Sequence, residues 1–129
     1  MQVPILKQGD VLIACIQAAL SDKDLIRLRD DLADRVGQFR SSGVVIDVSA
    51  LDVLDSFATR TLRGIAQMTK LRGAKTVIVG VQPEVAMAMV QLGLTLDDVL
   101  TALDLDEGLA LIAARNAEAG ARLRDRHGS

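Results

Sequence analysis

Aromatic residues are almost missing from this chain: among 129 residues there are two Phe and neither Tyr nor Trp. Platforms that stack bases or sugar rings are therefore excluded, and any core must be aliphatic. Cysteine occurs once, at Cys15, so no internal disulfide can form, and the expectation is a reducing, cytoplasmic compartment. The single histidine, His127, lies beside the C-terminus, where no rigid shell would orient it for acid–base work or zinc ligation. Charge of one sign is lacking too: 15 Lys and Arg against 17 Asp and Glu give a net charge of −2, a poor match for duplex nucleic acid. The longest uncharged apolar run, Val11 to Leu20, falls far short of the roughly twenty residues that span a bilayer, so direct membrane insertion is not expected. No basic segment leading into an apolar stretch marks a signal peptide.

What is present suits one globular domain. The chain is 50% hydrophobic and 25% charged, and its length matches a single domain of roughly 100–150 residues. The domain is expected over 1–129, with 122–129 as a flexible tail. Val3 to Gln8 and Val11 to Ile16 are apolar runs separated by Gly9-Asp10, a two-residue hairpin connection, and Pro4 marks the first run as an edge strand. Ser21, with Asp24 three positions on, opens a helix whose stripe is Leu25, Leu28, Leu32, Val36 and Phe39. Asp31 and Arg35 face each other on its opposite side.

Val44 to Val48 has the β-branched composition of a strand covered on both faces. Asp55-Ser56 opens a second helix, Phe57 to about Leu71, with Ala58, Leu62, Ile65 and Ala66 apolar and Gly73 closing it. Thr76 to Val81 is a further buried strand. Gln82-Pro83-Glu84 starts a third helix that ends at Gly93. Asp98 to Ala102 suits a short last strand. A final helix from about Asp106 carries Leu109, Ile112 and Ala113. Strands alternating with helices predict an α/β fold, a mixed and mostly parallel sheet with an antiparallel edge.

Few residues carry chemistry. Gly73-Ala74-Lys75-Thr76 lacks the glycine that a phosphate loop needs before its lysine, and it stands between helix and strand in the wrong order. Cys15 lies within an apolar strand and behaves there as a small hydrophobe, the alternative being a thiolate nucleophile or phosphocarrier. Asp104 and Asp106 suit the first turn of a helix better than a cation site. Met87 and Met89 suit core or rim packing. Ser56 has two readings. As an N-cap it would contribute about 1 kcal/mol; as a phosphate acceptor it would gain from the N–H groups of the helix start, with Arg60 one turn on and Asp55 opposing by like charge. Thr59 and Thr61, inside the helix, are weaker acceptors. Arg60, Arg63, Gln67 and Lys70 line one helix face, either solvated or docked on an acidic partner.

The run Val44-Val45-Ile46-Asp47-Val48-Ser49, then Leu51, then Asp55-Ser56 at a helix start, resembles the STAS domain (sulfate transporter and anti-sigma factor antagonist). The resemblance covers nearly the whole chain, including the opening hairpin and Val77-Ile78-Val79-Gly80. Many anti-sigma factor antagonists carry Asp-Ser-Ser-Gly; this chain reads Asp55-Ser56-Phe57-Ala58-Thr59-Arg60. That form, with Val3-Pro4-Ile5-Leu6-Lys7, is similar to the RsbS-type group, the small STAS subunits of bacterial stressosomes. The resemblance implies a protein without catalysis or cofactor. It implies self-association and assembly with RsbR-type STAS paralogues into a large cytoplasmic complex that holds an RsbT-type serine/threonine kinase. Ser56 then aligns with the phosphorylated serine, Thr59 being the weaker candidate, and an RsbX-type phosphatase would reset it. Asp55, Arg60, Arg63 and Lys70 become the expected partner contacts. Two alternatives share the fold: an anti-sigma factor antagonist that switches partners directly, and the STAS subunit of a membrane lipid transporter.

Overall fold

The computed structural model describes residues 3–94 and 99–127, the side chains of Ala119 and of 122–127 apart. The chain opens with β1 (Ile5–Gln8) and β2 (Val11–Cys15), an antiparallel pair in which Gln8 faces Val11. Gly9 takes φ 61 and Asp10 does not enter positive φ, the pattern of a two-residue type II′ connection. Pro4 stands just before β1, the outermost strand, where its missing N–H costs no ladder bond.

From β2 onward the sheet grows in one direction. β3 (Gly43–Asp47), β4 (Lys75–Val79) and β5 (Leu100–Ala102) each add parallel to the strand before, so the order is β1-β2-β3-β4-β5. The crossovers are α1 (Asp22–Phe39), α2 (Ser56–Leu71) and α3 (Pro83–Gln91). Right-handed crossovers that all step the same way must place their helices on one face. Accordingly Leu28 and Leu32 of α1, Leu62 and Ile65 of α2 and Val85 and Met89 of α3 share one core with Leu12, Val44, Ile46 and Ile78. α4 (Leu105–His127) returns over the opposite face, where Ile112 packs with Val11, Ile13, Val45, Val77 and Val79. Gly108 and Gly43 permit that approach. A β-carbon on Gly108 would stand 2.8 Å from Val79, and one on Gly43 2.6 Å from Ile112.

Several expectations from the amino-acid pattern are corrected. Phe39 closes the α1 stripe in sequence but is 39% exposed, because the helix ends there and the ring lies under the Lys7 ammonium at 5.5 Å. Arg35 donates to the Ile5 carbonyl at 3.2 Å, tying α1 to β1 instead of pairing with Asp31. Met87 is 65% exposed, whereas Met89 is buried. Ala113 is exposed; the inward face of α4 is Leu105, Gly108, Leu109 and Ile112. Asp98, expected in the last strand, lies outside the described residues. The backbone of 122–127 continues α4 as helix. Asp104 accepts from the Glu107 N–H at 2.9 Å, the helix-start role expected of that acid.

Candidate functional site

The candidate site is the N-terminal end of α2, reached from β3 by the segment Val48 to Asp55. Leu51 and Leu54 are buried and anchor this segment, while Val53 between them stands 76% exposed. A cavity of about 130 Å³ lies beneath, bounded by Ile16, Leu20, Leu25, Leu51, Leu54 and Ala58. At the segment's end the cap is Asp55, not Ser56: its Oδ1 accepts from the Ala58 N–H at 2.7 Å. A carboxylate at this position satisfies an orphan donor and meets the positive end of the helix dipole. Ser56 is thereby the first helical residue. It is exposed, and its hydroxyl makes no hydrogen bond among the described residues.

The neighbouring threonines differ. Thr59 is 1% exposed and donates to the Asp55 carbonyl at 3.0 Å, and Thr61 is 7% exposed and donates to the Phe57 carbonyl at 2.8 Å. Both hydroxyls are shielded from solvent and bonded to the preceding turn of the helix. Their burial explains how α2 packs with only a narrow aliphatic stripe, and it leaves Ser56 as the accessible hydroxyl of the helix start.

Ser56, Arg60, Arg63, Gln67 and Lys70 all lie on the exposed face of α2, at steps of four and three. Arg60 makes no ion pair among the described residues. Arg63 reaches toward the end of α3; its Nη1 lies 4.0 Å from where a Gly93 β-carbon would stand. Lys70 occupies the last turn, where a cation favours the dipole. Arg60, Arg63 and Lys70 thus share the exposed face of α2, with Lys70 at its far end and Asp55 turned to capping at its start.

Cys15 sits apart from this site, at the end of β2 beside Asp47 of β3. Partial burial, and after it the Asp47 carboxylate, hold its thiol pKa above the ordinary value, so the protonated form dominates at neutral pH. The role of Asp47 is one that the reading of the amino-acid pattern missed. Its Oδ1 accepts from both the Ser49 N–H at 2.9 Å and the Ser49 hydroxyl at 2.7 Å, which turns the chain out of β3. An Asp two residues before a Ser at a strand end was the available signal.

Residues 2–108 match the STAS domain family, and the chain belongs to it. Within the family, the similarity runs toward stressosome proteins. A serine-to-glutamate variant of RsbS from Moorella thermoacetica superposes with a TM-score of 0.83 at 35% identity, covering 91% of this chain and 99% of that one. A chain from the molecular architecture of the stressosome, described as a signal integration and transduction hub, gives 0.78 at 36% identity, covering 88% and 98%. The RsbT co-antagonist protein RsbRA of Bacillus subtilis is 31% identical over 83 residues, 64% of this chain; the match spans only 30% of that relative's length. Among the described residues no helix is long and apolar enough to cross a membrane.

Proposed function

We propose that this protein is a non-catalytic scaffold subunit of a stressosome-type complex, assembled with copies of itself and with RsbR-type STAS proteins. In this reading it holds an RsbT-type serine/threonine kinase and releases it when Ser56 is phosphorylated, and an RsbX-type phosphatase restores the starting state. The observation that carries the reading is the exposed Ser56 hydroxyl at the head of the Arg60–Lys70 row, in a chain whose RsbS neighbour matches it over nearly its full length. That neighbour's serine-to-glutamate change, which puts a negative charge in place of a hydroxyl, fits a phosphate switch.

A phosphate on Ser56 adds about −1.5 to −2 charge next to the Asp55 carboxylate. Both then compete for the same free N–H groups and dipole end. Acidic groups of a partner docked along Arg60, Gln67 and Lys70 would meet this new charge at the end of the row. Each 1.4 kcal/mol of lost attraction lowers affinity about tenfold, so a modest repulsion suffices for release.

Incubation with ATP and an RsbT-type kinase, followed by phosphosite mapping by mass spectrometry, tests the proposal. The expected result is stoichiometric phosphate on Ser56, absent in Ser56→Ala, with Thr59 unmodified. Ser56→Asp should bind the kinase at least tenfold more weakly than wild type. Equal binding, or an active kinase that leaves Ser56 unmodified, would sink the reading.

A further inference from the structure

The segment that presents Ser56 is tied to the other end of the neighbouring loop by one side chain. Gln82 occupies the N-cap position of α3, yet its side chain makes no capping bond there. Instead its Nε2 reaches across to the β3–α2 segment, donating to the Ser49 carbonyl at 3.2 Å and approaching Asp52 Oδ1 at 3.5 Å. Glutamine is not among the residues that readily cap a helix start, and its long side chain here serves another element. The contact is made possible by Gly80. At φ 74 it brings the β4–α3 connection so close that a β-carbon there would meet Ser49 Cβ at 2.6 Å and Ser49 Cα at 3.0 Å.

The segment between Ser49 and Asp55 has few other polar ties. The Ser49 end is turned by Asp47, and Leu51 donates to the Val48 carbonyl at 2.9 Å. Beyond Leu51, the described polar ties before the Asp55 cap run through Gln82 to Asp52. Leu51 and Leu54 fix depth by burial, but burial of two aliphatic side chains does not fix where the intervening backbone lies along the surface. A directional amide bond does.

We infer that Gln82 is a positioning residue for phosphoryl transfer to Ser56: it holds the acceptor segment against the β4–α3 connection, so that the hydroxyl enters the kinase in one geometry. This rests on the proposed acceptor role of Ser56. The amide must donate, because both groups it meets, a carbonyl and a carboxylate, only accept. Gln82→Glu keeps the shape, removes the donor and sets a second carboxylate against Asp52.

Two measurements on the full chain test this. Hydrogen exchange needs no kinase: the amides of 50–55 should exchange several-fold faster in Gln82→Glu, with the sheet strands unchanged. Steady-state phosphorylation of Ser56 should show kcat/KM lower by about fivefold, the scale of one exposed hydrogen bond. The double variant Gln82→Glu with Asp52→Asn reverses the donor and acceptor between these two positions but leaves the Ser49 carbonyl without its donor, so it should recover part of both losses. Unchanged exchange in Gln82→Glu overturns the inference whatever the kinase does. Exchange that partly recovers in the double variant while phosphorylation does not also overturns it, since Gln82 would then be touching the kinase directly. Faster exchange, partly rescued by Asp52→Asn, in a protein whose Ser56 is never phosphorylated would keep the tie and discard the acceptor reading.

Discussion

Two helices of this protein begin with a serine near the start, and the two serines end up doing opposite things. At α1, Ser21 is itself the cap: its Oγ accepts from the Asp24 N–H at 3.2 Å, and Asp24 Oδ2 accepts in return from the Ser21 N–H at 3.4 Å. The hydroxyl oxygen is used by the fold. At α2, Asp55 takes the cap with a bond of 2.7 Å, and Ser56, one residue later, keeps an exposed hydroxyl with no bond among the described residues. The difference shows how a single residue shift decides whether a serine serves stability or stays available for chemistry. A carboxylate in the cap also leaves the end of α2 already supplied with negative charge, so a phosphate on Ser56 arrives as a second anion, not a first.

The comparison can be broken or sharpened by substitution. Leu62→Ala removes a side chain that is 1% exposed and should cost about 2–5 kcal/mol in urea denaturation, disturbing the α2 face as a whole. Asp55→Ala should lower stability by about 1 kcal/mol or somewhat more and, by freeing the cap position, draw the Ser56 hydroxyl toward the backbone. Slower Ser56 phosphorylation would report that shift, while an unchanged rate would show the cap to be irrelevant to acceptance. Ser21→Ala should also cost about 1 kcal/mol and leave any phosphorylation of Ser56 untouched. Ser56→Ala should change stability by less than about 0.5 kcal/mol, and a loss as large as that of Ser21→Ala would mean that Ser56 caps after all. The smallest effect belongs to Cys15. Its raised pKa predicts slow labelling by a thiol reagent at neutral pH, accelerating as the pH rises toward the shifted value, and Asp47→Asn should bring that acceleration to lower pH.

The two cores differ in how visible they were. The face that packs α1, α2 and α3 was legible because α1 and α2 each carry an apolar stripe, and Leu25, Leu28, Leu32, Leu62 and Ile65 are all buried as the spacing requires. The face under α4 was less so. That helix buries a glycine, Gly108, against Val79 and turns Ala113 outward, so its packing depends on close approach and not on a run of large residues. Phe39 and Met87 are exposed for a related reason: a stripe states which side of a helix can be buried, but not where the neighbouring element stops.

The sequence by itself determined the element order, the edge strand marked by Pro4, the all-aliphatic core and the pairing of an Asp-Ser step with a helix start. These follow from local rules of spacing, capping and backbone freedom, which act within a few residues. Only the tertiary structure decided which of Asp55 and Ser56 caps α2, that Thr59 is buried, that Arg63 turns toward α3, and that Gln82 reaches from one loop to the other. The last two outcomes depend on distances between segments some thirty residues apart, as in the contact of Gln82 with Ser49. No local pattern encodes such a distance; it is set when Gly80 lets two loop backbones meet at the end of the sheet.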